Sequence, residues 1–124
     1  MTQFSFASIL FAINLKDVIF LLNDLWVLVD YIAEIEKAEF NGPVLVYCPI
    51  DSGPVNGHAL SKMSGVSEFV VYTEFAAREV NRTLDVIRSN DPSFTFPEVT
   101  VIAHGVDVDD FHPLQLVEDG SVDR

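Results

Sequence analysis

The sequence predicts an α/β fold: a parallel sheet of about four strands with helices on both faces. Three observations lead there. Four short apolar runs rich in β-branched residues begin near positions 18, 44, 69 and 99. None of the four carries a polar face, which is the pattern of strands covered on both sides. The gaps of about 25 to 30 residues between them suit one right-handed β-α-β crossover each.

Taken in order, residues 3–14 (QFSFASILFAIN) place apolar side chains at 4, 6, 7, 10, 11 and 13, a helical spacing. Lys16 and Asp17 then turn the chain into Val18–Leu22 (VIFLL), the first strand. Asn23 and Asp24 supply an N-cap for a helix over about Leu25–Phe40, whose polar stripe is Asp30, Glu34 and Lys37. Asn41-Gly42-Pro43 stops it. Val44–Cys48 (VLVYC) is the second strand, and Pro49–Gly57 is too rich in turn formers to be regular. A short helix is expected over about His58–Ser64, and a third strand over Phe69–Tyr72. Thr73 caps a helix over about Glu74–Ser89, in which Glu74 and Arg78 are placed as an i, i+4 pair. Asn90–Pro97 reads as a loop before the last strand, Val99–Ile102. The sum is a parallel α/β sandwich of Rossmann type. Residues 1–103 form the domain, and 104–124 form a hinge or linker tail.

Composition narrows the function. Seven basic against nineteen acidic residues give a net charge of −12, which repels phosphate backbones and argues against a nucleic-acid surface. A small phosphorylated ligand held by backbone amides remains compatible with it. The single Cys48 lies in an apolar run, allows no internal disulfide and reads as a packed core thiol of a reducing compartment. Asn14, Lys16 and Asp17 interrupt the apolar amino-terminal stretch, so no clean span of about 18–20 residues exists. With no basic leader either, the expectation is a soluble, cytoplasmic protein without a membrane span. Apolar residues make up 49% of the chain and the mean hydropathy is +0.30. Either the core is simply apolar, or a surface is left for a missing domain or second subunit to cover.

Ligands of open parallel sheets gather beyond the carboxyl ends of the strands. That edge receives Asn23 and Asp24 from the first strand, Asp51 and Ser52 from the second, Thr73 and Glu74 from the third, and His104, Gly105 and Asp107 from the fourth. Each has a plainer use. Asn23, Asp24 and Thr73 stand where helix caps belong. Asp51 can close an Asx turn. Glu74 can complement a helix dipole, and His104 can bond a neighbour in its loop. His58 and His112 read as surface or packing residues. No His/Cys cluster or HExxH points to a metal, and no G-x-S-x-G to a serine hydrolase. The glycine-rich phosphate loops are absent as well. Asp107, Asp109 and Asp110 lack calcium-loop spacing and read as a solvated linker.

Two segments, FVVYTEFAAREV (69–80) and VTVIAHGVDVDDFHPL (99–114), together resemble the GT-B glycosyltransferases of the family-4 type. There a strand, a Ser/Thr-Glu-Phe helix start, a further strand and a His/Asn-Gly-Val-Asp…Phe-x-Pro tail end the amino-terminal domain and lead into the hinge. Thr73-Glu74-Phe75 and His104-Gly105-Val106-Asp107, with Phe111 and Pro113, match those positions. DVIFLLNDLWVL (17–28) and VLVYCPID (44–51) look like that domain's middle strands, so the likeness covers about residues 15–114. The resemblance implies retaining transfer of a sugar from a nucleotide-sugar donor to a sugar or other acceptor, with no obligatory metal and no other cofactor. Asp51 and its loop, Thr73 and Glu74 would border the acceptor side, and His104–Asp107 the hinge. Against the family pattern, the sequence lacks the first strands with their glycine-rich loop and the donor domain with its paired glutamates. It therefore reads as an incomplete GT-B domain, a fragment or subunit inactive alone, whose apolar surface predicts a partner or a homo-oligomer. Two other readings remain: a free-standing interaction domain without catalysis, and a small nucleotide-binding module. The second of these lacks a phosphate loop.

Overall fold

The structure, a computed structural model, describes residues 17–113. The helix expected over 3–14 and the end of the tail lie outside the described residues. Four strands, β1 (Ile19–Leu22), β2 (Val44–Tyr47), β3 (Glu68–Val71) and β4 (Val99–Val101), alternate with α1 (Leu25–Lys37), α2 (Gly57–Ser61) and α3 (Glu74–Asn90). The sheet is parallel throughout, in the order β1-β2-β3-β4. The α/β architecture of the sequence expectation is therefore present, with each strand within about a residue of its expected limits. α2 is shorter than expected, and α1 ends three residues early.

The order decides where the helices lie. Each crossover moves to the next strand in the same direction, so right-handed connections put every helix on the same side of the sheet. Ile19, Leu21, Val44, Val46, Phe69 and Val71 face that side. They form one buried cluster with Leu28 and Ile32 of α1, Leu60 of α2, and Val80 and Leu84 of α3. The opposite face carries Phe20 and Leu22, in register with Leu45 and Tyr47. Phe20 is 61% and Leu22 59% exposed. The described residues thus cover the sheet on one face, where apolar strands alone had suggested both. The reason is topological: helices change sides only where the strand order reverses, and here it does not.

Helix α1 closes differently from the Asn-Gly-Pro stop that the sequence suggested. The Phe40 N–H donates to Ile35 C=O at 3.4 Å and the Glu39 N–H to Glu36 C=O at 3.0 Å. This is a Schellman pair, and it needs a left-handed residue at Glu39, whose φ is 52°. Gly42 serves close approach instead, since a Cβ there would lie 2.8 Å from the Asp17 carbonyl oxygen. A left-handed non-glycine residue costs on the order of 1 kcal/mol. Glu39→Gly is therefore expected to stabilise the protein by about 0.5–1 kcal/mol, read as a higher urea midpoint at unchanged slope.

Helix α3 starts as the sequence indicated. Thr73 is extended and its Oγ1 accepts from the Ala76 N–H at 3.0 Å. Its ion pairs are Glu79–Arg82 at 3.2 Å and Asp85–Arg88 at 3.9 Å, not the expected Glu74–Arg78. On α1, Lys37 meets Glu34, and that hydrogen bond with its charge raises the Lys37 pKa. The exposed pairs Glu34–Lys37 and Asp85–Arg88 contribute little to stability.

Candidate functional site

The carboxyl edge of the sheet holds a cleft of about 380 Å³ between the loops that follow β1 and β2. Asp24 and Trp26 form one wall; Asp51, Ser52 and Asn56 belong to the other. Three of the predicted residues, Asp24, Asp51 and Ser52, come together here. Asn23, Thr73, Glu74, His104, Gly105 and Asp107 are not among its lining residues.

Local structure explains each placement. Asp24 occupies the N-cap of α1 with an extended backbone, and its carbonyl accepts from the Val27 and Leu28 N–H groups, both at 3.0 Å. Its side chain makes no capping bond, contrary to the capping use read from sequence. The carboxylate therefore stands at the positive end of the helix dipole, where negative charge is favoured. Asn23 Oδ1 instead accepts from the Asp24 N–H at 2.9 Å. On the facing loop, Asp51 Oδ1 accepts from the Ser52 hydroxyl at 3.3 Å. Asn56 caps α2 through Oδ1, accepting from the Ala59 N–H at 2.9 Å. The loop includes a cis peptide between Gly53 and Pro54.

Cys48, the residue that follows β2, is fully buried. Burial, with the negative charge of Asp24 adding to it, pushes its thiol up to about 12. It is a neutral core group, in keeping with the sequence reading and unlike a nucleophile.

Trp26 is the residue that sequence reasoning missed. The indole is 72% exposed although it sits in an apolar helix. A signal was present: the buried positions of α1 are 25, 28, 32 and 35, and 26 is out of phase with all of them. Asn56 was also missed, inside a loop read only as turn-forming.

The remaining predicted residues serve local structure or lie on the tail. Thr73 is engaged in capping α3, and Glu74 is exposed in that helix's first turn. The His104 ring stacks on Tyr72, with centroids 4.7 Å apart and planes at 9°, and it also lies 5.4 Å from Tyr47. The Tyr47 hydroxyl donates to the Ile102 carbonyl at 2.6 Å. Together they hold the start of the tail against the ends of β2 and β3. Asp107 closes a turn through Oδ1, which accepts from the Asp109 N–H at 2.9 Å. Residues 102–113 are exposed throughout.

Chemically, the cleft offers two carboxylates, a hydroxyl and a flat apolar ring. The carboxylates accept hydrogen bonds and disfavour phosphate, while the ring suits the apolar face of a cyclic ligand. Among the described residues, no group of three or more His, Cys, Asp or Glu side chains is placed to hold a metal ion. No described helix is long and apolar enough to cross a membrane.

Fold and site together define the class: a parallel α/β sheet with helices on one face and an open cleft at its carboxyl edge. Compared with protein-family models, with curated proteins and with solved structures, the chain matches none of them.

Proposed function

We infer that this chain is the acceptor-side part of a retaining GT-B glycosyltransferase, without turnover on its own. The observation that carries the reading is the cleft, in which Trp26, Asp24 and Asp51 converge at the carboxyl edge of a parallel sheet. An exposed indole packs against the C–H face of a sugar ring, and carboxylates accept from its hydroxyls. The His-Gly-Val-Asp tail leaves from the same edge, where a hinge to a donor domain belongs. In this division of labour the chain's own groups bind and orient an acceptor. Stabilisation of the transferring sugar's charge comes from the opposite wall of the completed cleft.

Trp26 is the chain's single tryptophan, which makes it a built-in reporter. Titration with neutral mono- and disaccharides is expected to shift its emission at millimolar concentration. A nucleotide-sugar alone is expected to leave it unchanged. Asp51→Asn should weaken saccharide binding by about tenfold, or about 1.4 kcal/mol. A response to the nucleotide-sugar and to no saccharide would instead make the chain a nucleotide-binding module. Silence toward both would favour a non-catalytic interaction domain, the second reading, which the exposed Phe20 and Leu22 support.

A further inference from the structure

The loop that walls the cleft opposite Trp26 is gripped from behind by α3. Asp51, Ser52, Pro54, Val55 and Asn56 line the cleft, whereas Gly53 is not among its lining residues. Gly53 meets Glu79 of α3 instead. A Cβ at position 53 would overlap the Glu79 carboxylate oxygen and lie 2.9 Å from its Cδ and 3.2 Å from its Cγ. One turn further along α3, the Thr83 hydroxyl donates to the Val55 carbonyl at 3.3 Å. The loop is thus drawn in at Val55 and held off at Gly53.

The Glu79 spacer stands on a fixed base. Its side chain is 12% exposed, and its Oε1 lies 3.2 Å from Arg82 Nη1. The next residue, Val80, has no exposed surface, and Ala76 and Leu84 of the same helix are buried. Turning the carboxylate alone does not clear the space at Gly53, because Cγ crowds it as well. Gly53 is not left-handed, so Glu79 and not the backbone opposes a side chain there. In the sheet order the loop follows β2, with α3 after β3 on one side and Trp26 after β1 on the other. A group added between Gly53 and α3 therefore drives the loop toward Trp26, since packed neighbours make room only by shifting.

We propose that Glu79 is a positioning residue: as the spacer behind Gly53 it sets the gap between the Asp51–Ser52 wall and Trp26, and with it the size of ligand the cleft admits. That the ligand is a saccharide rests on the glycosyltransferase reading; the gap itself does not.

The test is quenching of the single tryptophan by acrylamide, a neutral probe indifferent to the charge at position 79. Gly53→Ala is expected to narrow the gap and lower the quenching constant, and Gly53→Ala with Glu79→Ala to restore it. Glu79→Ala alone should raise it, while Glu79→Gln, which keeps the spacer, should leave it unchanged. Quenching unaltered by Gly53→Ala, or lowered and not restored in the double variant, overturns the proposal. If Gly53→Ala does not fold by urea titration, the Glu79 pair decides, and equal quenching in its two members overturns it. Saccharide titrations then test the size effect: Gly53→Ala should weaken disaccharide binding by about tenfold and monosaccharide binding less. Equal losses overturn the claim on ligand size. No saccharide response from any variant, with the quenching pattern as expected, overturns the glycosyltransferase reading and leaves the spacer standing.

Discussion

Phe69→Ala is expected to remove about 3–5 kcal/mol of stability, a large share of the roughly 5–15 kcal/mol that holds a domain of this size. Phe69 sits in β3 with no exposed surface, and its ring meets Phe96 edge-on at 5.3 Å. Its neighbours in register are Val46 and Val99. Truncation leaves a cavity bounded by strands on either side, which cannot move inward without breaking the ladder. In urea the midpoint should fall by about 2–3 M for a slope near 1.5 kcal/mol/M. Phe75→Ala is the comparison, since that ring is 40% exposed and its loss should cost about 1 kcal/mol. Equal effects at the two positions would mean that β3 is not the centre of the core.

The second large effect concerns Cys48 and alkaline pH. Its thiol pKa is raised from 9.0 to about 12 in the folded protein, chiefly by burial. Below pH 9.0 the thiol is neutral whether the chain is folded or not, and its stabilising contribution is complete. As pH rises from 9.0 toward 12, the unfolded chain loses the proton while the folded chain retains it. Stability is therefore lost across that window, by a few kcal/mol at its upper end. Cys48→Ala should lower stability at neutral pH through its smaller side chain, yet flatten the decline above pH 9.0. Urea midpoints of both proteins at pH 7, 9 and 10.5 give the comparison. Parallel curves would show that the thiol does not carry the dependence. The same shift is expected to slow reaction with a thiol reagent at pH 8 by about a thousandfold relative to an unfolded cysteine, since that much less thiolate is present.

Local patterns were legible in the sequence and non-local ones were not. VIFLL, VLVY and FVV announce strands because each is short, apolar and bounded by turn formers. Thr73 announces the start of α3 because its hydroxyl needs only a neighbour three residues on. The single-sidedness of the helical layer was hidden, since it depends on which strand lies beside which. An apolar strand signals the capacity for burial on two faces, and nothing in IFLL reports whether the second face is occupied. The site divides in the same way. Asp24, Asp51 and Ser52 were readable as carboxyl-edge residues, and they meet because β1 and β2 are adjacent. Thr73 and Glu74 come from the next strand over and stay apart from the cleft. Trp26 was obscured by the apolar stretch around it, and only its phase against Leu25 and Leu28 separates it from the core. His104 finds Tyr72 across a helix and a loop, a contact that no short-range pattern records.

The unbroken order β1-β2-β3-β4 also bears on how the protein is made. Every described strand after β1 pairs with the described strand synthesised just before it, roughly 25 residues earlier, so among them only β1 waits for a later partner. On the ribosome the sheet grows by one ribbon at a time, each closed by the helix that emerges between the two strands. Among the described strands β4 emerges last and forms one border. Of the two described borders, the one at β1 forms first and is the longer exposed to the cell during synthesis.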